Sequence, residues 1–264
     1  MTRLAPAAVT ALLMLTVSAC GGAADGDSTP GTSGASSSAT VNTPAADTSA
    51  APSPAAFNAG GYLAGTAKPT LPAGKPGEVA VVAQGDLTKP GVGASLPIAF
   101  RNNTSESISH VDISATARQN GKLVSTGQSQ GVTPAQVQPG ELGFGFIYFE
   151  DEKSMPDSGL EYKFTATTMP ADTSSYNTAP LTVGEATANG TSIVGTATNK
   201  TGKPLTGPYS VQAYCFDGNK LTGQVGSFAD QDADITADAE VSFTISLYDT
   251  KCPNFTVGVA GFFQ

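Results

Sequence analysis

The chain has 264 residues, a formal net charge of −9 and charged side chains at only 13% of its positions. Its acidity excludes the basic surface with which proteins bind the backbone of a nucleic acid. The sequence has no P-loop and no Rossmann fingerprint, which excludes the common nucleotide-binding enzymes. Because His110 is the single histidine, a catalytic triad based on histidine would have to use that residue.

The N-terminal residues have the order of a secretory signal. Arg3 precedes an apolar run from Leu4 to Val17, which is too short to span a bilayer comfortably but suits a signal-peptide core. The stretch Val17-Ser18-Ala19-Cys20 then resembles the lipobox of bacterial lipoproteins. The resemblance implies that residues 1–19 are a signal peptide and that Cys20 carries a lipid, which anchors the protein at the extracytoplasmic face of the cell membrane. The alternative is an ordinary secretory signal cleaved near Ala19, with Cys20 incidental.

The chain has three cysteines, an odd number that needs an explanation in a secreted protein. Lipidation of Cys20 would leave Cys215 and Cys252 as a pair, and an oxidising compartment favours a disulfide between them. Two thiols and the distant His110 are too few ligands for a structural zinc site. We therefore predict a Cys215–Cys252 disulfide.

The segment after Cys20 is low in complexity. Of the 36 residues from Gly21 to Ala56, 31 are Gly, Ala, Ser, Thr or Pro, and none is aromatic. Such a stretch cannot bury enough apolar surface to offset the entropy lost on ordering it. We predict a disordered tether over residues 20–77, either a plain spacer or a stalk carrying O-linked sugar. Its last part, residues 57–77, either packs weakly on the first domain or continues the tether.

The rest of the chain contains a repeat. Val111–Leu123 and Tyr209–Leu221 both alternate apolar and polar residues and end in a turn sequence, Asn120-Gly121-Lys122-Leu123 in the first copy and Asp217-Gly218-Asn219-Lys220-Leu221 in the second. Alternation with a period of two predicts strands, and the Asn-Gly and Asp-Gly dipeptides predict a tight hairpin. Further matches pair Asn102-Asn103-Thr104 with Thr198-Asn199-Lys200, and pair Glu141, Phe144, Phe146 and Tyr148 with Glu240, Phe243, Ile245 and Leu247.

Each copy reads as six strands. The predicted strands are 78–84, 95–102, 110–118, 122–129, 141–149 and 161–168 in the first copy, and 182–188, 191–199, 208–216, 220–228, 240–248 and 254–262 in the second. Short antiparallel strands in this number form a small β-sandwich. The predicted fold class is all-β, with two tandem immunoglobulin-like sandwich domains at residues 78–168 and 181–264, joined by a linker at 169–180.

Two stretches of the second copy, Thr198–Leu205 and Val211–Lys220, are similar to the FxLYD-type domains of bacterial envelope proteins. In that family an Asn turn between two strands precedes an aromatic-x-aliphatic-Tyr-Asp sequence and a Gly-Lys hairpin. The second copy departs from the pattern at Cys215-Phe216, and the first copy has Arg118-Gln119 in place of the aromatic residue and Asp. The resemblance implies an immunoglobulin-like sandwich with no catalytic residues.

Two possible ligand sites stand out. Asp230, Asp232 and Asp234 have the spacing that begins a calcium loop, although Ile235 occupies the place of its sharp-turn glycine. The alternative is a plain solvated acidic loop, and apart from calcium we expect no cofactor. Because the chain lacks tryptophan, sugar binding would have to use tyrosine rings. The candidates are Tyr148, Tyr162, Tyr176 and Tyr248.

The sequence therefore predicts a non-catalytic lipoprotein that is held on the membrane through the lipid on Cys20. We expect its domains to bind an envelope or secreted protein through sandwich loops or strand edges. The alternatives are a module that binds a small ligand, a glycan or calcium, and a passive surface spacer.

Overall fold

The structure, a computed structural model, describes residues 53–264. They form two antiparallel β-sandwich domains of six strands each, which confirms the predicted all-β class with two tandem sandwiches. The one helical element within residues 53–264 is a 3₁₀ turn at Glu152–Ser154. Within residues 53–264 no helix is long and apolar enough to cross a membrane. The predicted signal peptide and Cys20 lie outside the described residues.

Domain 1 is a six-stranded sheet folded over on itself. Its strands are β1 (Val79–Gln84), β2 (Ala94–Asn102), β3 (Ile108–Gln119), β4 (Lys122–Thr133), β5 (Leu142–Phe149) and β6 (Glu161–Pro170). Their order is β1-β2-β5-β4-β3-β6. The inward faces of β2 and β3 pack against each other across the fold, with Ile98, Phe100 and Ile113 fully buried between them.

Domain 2 contains six strands that correspond to those of domain 1 but lie in a different order. They are β7 (Thr178–Ala188), β8 (Ser192–Thr198), β9 (Leu205–Asp217), β10 (Lys220–Phe228), β11 (Glu240–Ser246) and β12 (Asn254–Phe263). Their order is β10-β9-β12-β7-β8-β11. The long strand β7 changes partner along its length: its first part pairs with β12 and its second part with β8.

The hairpin pairings of the two domains match pair for pair. Gln119 lies opposite Lys122 in domain 1, and Asp217 lies opposite Lys220 in domain 2, with a register shift a little further along each hairpin. Asn120 and Gly121 both have positive φ, as a two-residue turn of this hairpin type requires. Strands β1–β6 therefore correspond to β7–β12 in chain order.

A buried asparagine marks the turn after the second strand of each domain. The Asn102 side chain donates to the carbonyls of Glu106 and Val137 and accepts from Thr104. Asn199 makes the same bonds to Lys203, Thr236 and Thr201. Asn102 is thus the equivalent of Asn199, and the sequence match of Asn103 with Asn199 was wrong by one residue.

Strand β5 also differs from its predicted alignment by one residue. Ile147 and Phe149 point into the core of domain 1, whereas Leu142 and Phe144 lie on the opposite face, in a different buried cluster. Gly143 faces inward and leaves room for the ring of Phe100, because a Cβ on Gly143 would lie 2.3 Å from that ring. Phe144 is therefore not the counterpart of the core residue Phe243.

The segment between the domains is shorter than predicted. Strand β6 runs to Pro170 and β7 begins at Thr178, so residues 171–177 join them instead of 169–180. The extra length of β7 carries Ala179 and Leu181, which are fully buried in the core of domain 2.

Candidate functional site

The two domains meet through a buried apolar cluster, which we call the interdomain core. The ring of Phe144 from domain 1 lies 5.3 Å from that of Tyr214 and 5.8 Å from that of Phe216, both on the outward face of β9. Burial raises the pKa of the Tyr214 hydroxyl well above its usual range. The buried members of the cluster are Leu63, Ala67, Ala99, Leu142, Phe144, Tyr214, Phe216 and Leu221. Both faces of β9 are thus covered, which fixes one domain against the other.

Residues 53–77, which we call the strap, are bonded to both domains. The guanidinium of Arg101 donates to the carbonyls of Leu71 and Pro72, and Asn103 donates to that of Ala73. On the side of domain 2, Ala64 exchanges two backbone hydrogen bonds with Val257, at 3.1 and 2.8 Å. Leu63 is buried in the interdomain core. This part of the predicted tether is therefore packed, because its few apolar residues fill the interface.

An open cavity of about 380 Å³, the interdomain cleft, lies between the domains beside this interface. Domain 1 contributes the start of β3 and the end of β4, and domain 2 contributes the starts of β7 and β9 and the ends of β10 and β12. Phe228, which is 61% exposed, and the half-buried Phe262 supply aromatic surface. The principal side chains with hydrogen-bonding groups are His110, Gln130, Thr133, Ser210 and Gln212.

His110 is placed in the cleft by an irregularity in β3. The pairing of β3 with β6 shifts between Ser109 and Asp112, and His110 has φ of +45°. A bulge of this kind redirects a side chain. The Ser109 hydroxyl donates to the carbonyl of Pro170 at 3.0 Å and lies 3.0 Å from Nδ1 of His110. With the hydroxyl directed at the carbonyl of Pro170, the contact with His110 is a hydrogen bond in the tautomer that is protonated on Nδ1, and that tautomer leaves Nε2 as an acceptor.

Neither Ser109 nor Ser129 is placed as a free nucleophile in the cleft. Ser109 is fully buried and its proton is already donated, so it has no access to a substrate. Asp112 is the one carboxylate that lines the cleft. The sequence contains a G-x-S-x-G pentapeptide at residues 127–131, which sequence reasoning missed. It lies within β4, and Ser129 accepts a bond from the amide of Ile113 at 2.9 Å instead of standing on the strand-to-helix turn of a hydrolase.

The predicted disulfide is present. Cys215, on β9, is bonded to Cys252, which precedes β12, across a sequence separation of 37 residues. Cys215 is fully buried, and the partly buried Cys252 packs against the core of domain 2. The corresponding strand of domain 1 has Ala117, so the disulfide belongs to domain 2 alone.

The structure does not bring the three predicted calcium ligands together. Asp230 accepts a bond from the Ser242 hydroxyl on β11 at 2.9 Å, and Asp234 accepts one from Thr206 on β9 at 2.6 Å. The carbonyl oxygen of Asp232 lies where it would contact a Cβ on Gly207. Across residues 53–264 no group of three or more His, Cys, Asp or Glu side chains could hold a metal ion. The two carboxylates are held to different strands, which separates them.

The four tyrosines considered for sugar binding do not share one surface. Tyr148 donates its hydroxyl to the carbonyl of Val92, and Tyr162 stacks on Phe164 with ring centroids 6.2 Å apart. Tyr176, in the segment between the domains, and Tyr248, on a loop of domain 2, are more than four-fifths exposed. Sequence reasoning did not single out Phe228 or Gln212, which lie on the paired strands β10 and β9, because only the approach of domain 1 makes this surface the wall of a cleft.

No family model matches this chain, and no curated protein is similar to it in sequence. The resemblances to the lipobox and to FxLYD-type domains therefore stay predictions.

Proposed function

We propose that this chain is a non-catalytic lipoprotein, held at the extracytoplasmic face of the membrane, that binds a protein of the envelope in its interdomain cleft. The observation that carries the proposal is the cleft itself. Its two walls belong to domains joined by a buried apolar core and by the strap, so the cavity exists before any partner arrives. A preformed site costs less ordering entropy on binding than one that must assemble.

The residues of the cleft suit a protein surface. Aromatic side chains at the centre of an interface supply most of its binding energy, and Phe228 stands exposed at this position. The glutamine, serine and threonine side chains around it can donate and accept hydrogen bonds without adding charge. Membrane attachment is supported by the order of residues from Arg3 to Cys20 alone.

The experiment is capture with a matched pair of variants. The full chain is immobilised and incubated with solubilised envelope, and bound proteins are identified by mass spectrometry. Phe228→Asp places a charge in the cleft, whereas Leu123→Asp makes the same change on β4 at a side chain of similar exposure, 55% against 61%. We expect a protein that the wild type and Leu123→Asp retain and that Phe228→Asp loses. Capture that is equal for both variants would refute the cleft as the site.

A second candidate is a small uncharged ligand, because a cavity of about 380 Å³ lies within the size range of ligand pockets. A rise in melting temperature with a panel of uncharged peptides or sugars, absent in Phe228→Asp, would favour this candidate over a protein partner.

A further inference from the structure

The outer edge of the last strand is covered in domain 2. Toward its start, the amide of Val257 donates to the carbonyl of Ala64 in the strap, and the amide of Ala67 donates to the carbonyl of Phe255. Toward its end, β12 pairs with the first part of β7, where Val259 lies opposite Leu181. Two separate segments therefore satisfy the backbone groups that β12 directs away from β9.

The equivalent strand of domain 1 has neither segment. The pairings with β3 and β9 make Tyr162, Phe164 and Ala166 the counterparts of Phe255, Val257 and Val259. Within residues 53–264, β6 pairs with β3 alone, and no other backbone hydrogen bond reaches its far side. The chain enters β1 through Pro76-Gly77, and the amide of Gly77 donates to Asn103, so no strand continues from here along β6.

The direction of the free groups follows from the domain 2 bonds. Val257 exchanges backbone hydrogen bonds with the strap. The backbone N–H and C=O groups of every second residue of β12 from Phe255 to Gly261 therefore point away from β9. Their counterparts on β6 are Tyr162, Phe164, Ala166 and Thr168.

The middle of the free edge is unprotected. Natural edge strands usually carry charges, bulges or prolines that prevent pairing. On β6 such residues lie only toward the ends, with Glu161 and Lys163 at one end and Pro170 at the other, and Thr165–Met169 between them is uncharged, with Met169 59% exposed.

We propose that the open edge of β6 binds an extended segment of a partner protein, which pairs antiparallel with β6 as β7 pairs with β12. The chemistry of the segment is given by the first part of β7, which pairs with β12: small or branched apolar side chains at alternate positions, as at Ala179 and Leu181, and no charge. Pro180 shows that the position between them can lack an amide proton. The lining of the interdomain cleft includes no residue of β6, so this site is distinct from the proposed function.

The probe is a fluorescent peptide with the chain's own sequence at residues 176–183, titrated with the full protein by anisotropy. One derivative is N-methylated at the leucine that corresponds to Leu181, whose amide faces the pairing strand, and a matched derivative at the position of Thr182, whose amide faces away. We expect saturable binding of the parent peptide, a loss of about tenfold or more for the first derivative, and little change for the second. Equal binding of both derivatives, or no binding, would overturn the proposal.

A variant of the protein locates the site independently. Thr168→Pro removes an outward amide of β6, whereas Thr168→Val keeps it. We expect Thr168→Pro alone to lose the peptide, with both variants checked for an unchanged melting temperature, and Phe228→Asp to bind as the wild type does. Peptide-induced shifts of backbone resonances should fall on β6. Shifts confined to domain 2, or self-association of the chain through β6 without peptide, would contradict a partner segment at this edge.

Discussion

Domains 1 and 2 contain the same ring of strand neighbours, opened at different places. In domain 1, β4 pairs with β5 and closes that side, while β1 and β6 remain unpaired with each other. In domain 2, β12 pairs with β7, while β10 and β11 share only the bridge between Ala229 and Phe243. The strand pairs within each half are thus common to both copies, and the joint between the halves is what differs.

The length of two strands decides which joint closes. Strand β7 has 11 residues, of which the first part pairs with β12 and the second with β8, whereas β1 has 6 residues and follows Pro76-Gly77. Conversely, β4 has 12 residues and its end pairs with β5, whereas β10 has 9. The two domains therefore differ in their loops and strand ends rather than in their cores.

The largest expected effect comes from breaking the contact between the domains. Phe144→Ala removes a fully buried ring from the interdomain core, and we expect the free energy of unfolding to fall by about 3–5 kcal/mol. Urea denaturation measures this loss. Leu123→Ala, on an exposed side chain of the same domain, is the control. A loss for Phe144→Ala as small as that for Leu123→Ala would mean that the two domains do not stabilise each other.

Removing the disulfide tests a difference between the domains. We expect Cys215→Ala with Cys252→Ala to lower the free energy of unfolding by about 2–4 kcal/mol, because the bond closes a long loop of the unfolded chain. The wild type unfolded under reducing conditions should give the same value. Hydrogen exchange should speed up mainly in the core of domain 2. Equal acceleration in both domains would show that the disulfide does not act locally.

The two buried asparagines test what the domains share. Asn102→Ala and Asn199→Ala each remove a side chain that bonds two loops, and each should cost about 2–3 kcal/mol of unfolding free energy. Thermal or urea denaturation of the two variants provides the comparison. A large loss for one and almost none for the other would contradict their structural equivalence.

The smallest effect at neutral pH concerns Tyr214, whose counterpart in domain 1 is Thr116. Its folded-state pKa lies above that of the unfolded chain, so the folded state binds more protons at alkaline pH. Stability is therefore retained below pH ~10 and falls by about 1.4 kcal/mol per pH unit above it. Unfolding free energies measured between pH 8 and 11 should decline less steeply in Tyr214→Phe, and Tyr176→Phe, on an exposed ring, should follow the wild type.

The sequence predicted the elements better than their faces. Regular alternation and the Asn-Gly and Asp-Gly steps were sufficient for β3, β4, β9 and β10, and the cysteine count for the disulfide. Strand β5 was aligned one residue out because every residue from Leu142 to Phe149 is apolar, aromatic or glycine, and because its first four residues are buried on both faces. Such a sequence has no alternation of apolar and polar residues that would show which face is the core.

The strap and the cleft could not be predicted, for a related reason. Residues 57–77 carry too few apolar side chains to fold alone, and they are ordered by the two domains that they join. Phe228 and His110 are more than a hundred residues apart in the chain. No local pattern predicts contacts that arise only when two complete sandwiches meet.

Amide hydrogen exchange most directly tests the claim that domain 1 leaves its last strand open where domain 2 covers it. The amides to compare are those of Phe164 and Ala166 on β6 and their counterparts Val257 and Val259 on β12, measured by NMR in the full chain. The structure predicts exchange at Phe164 and Ala166 that is about tenfold faster or more, because no neighbour bonds these groups. Equal protection of the two pairs would mean that the edge of β6 is covered in solution, and would contradict this account of both domains.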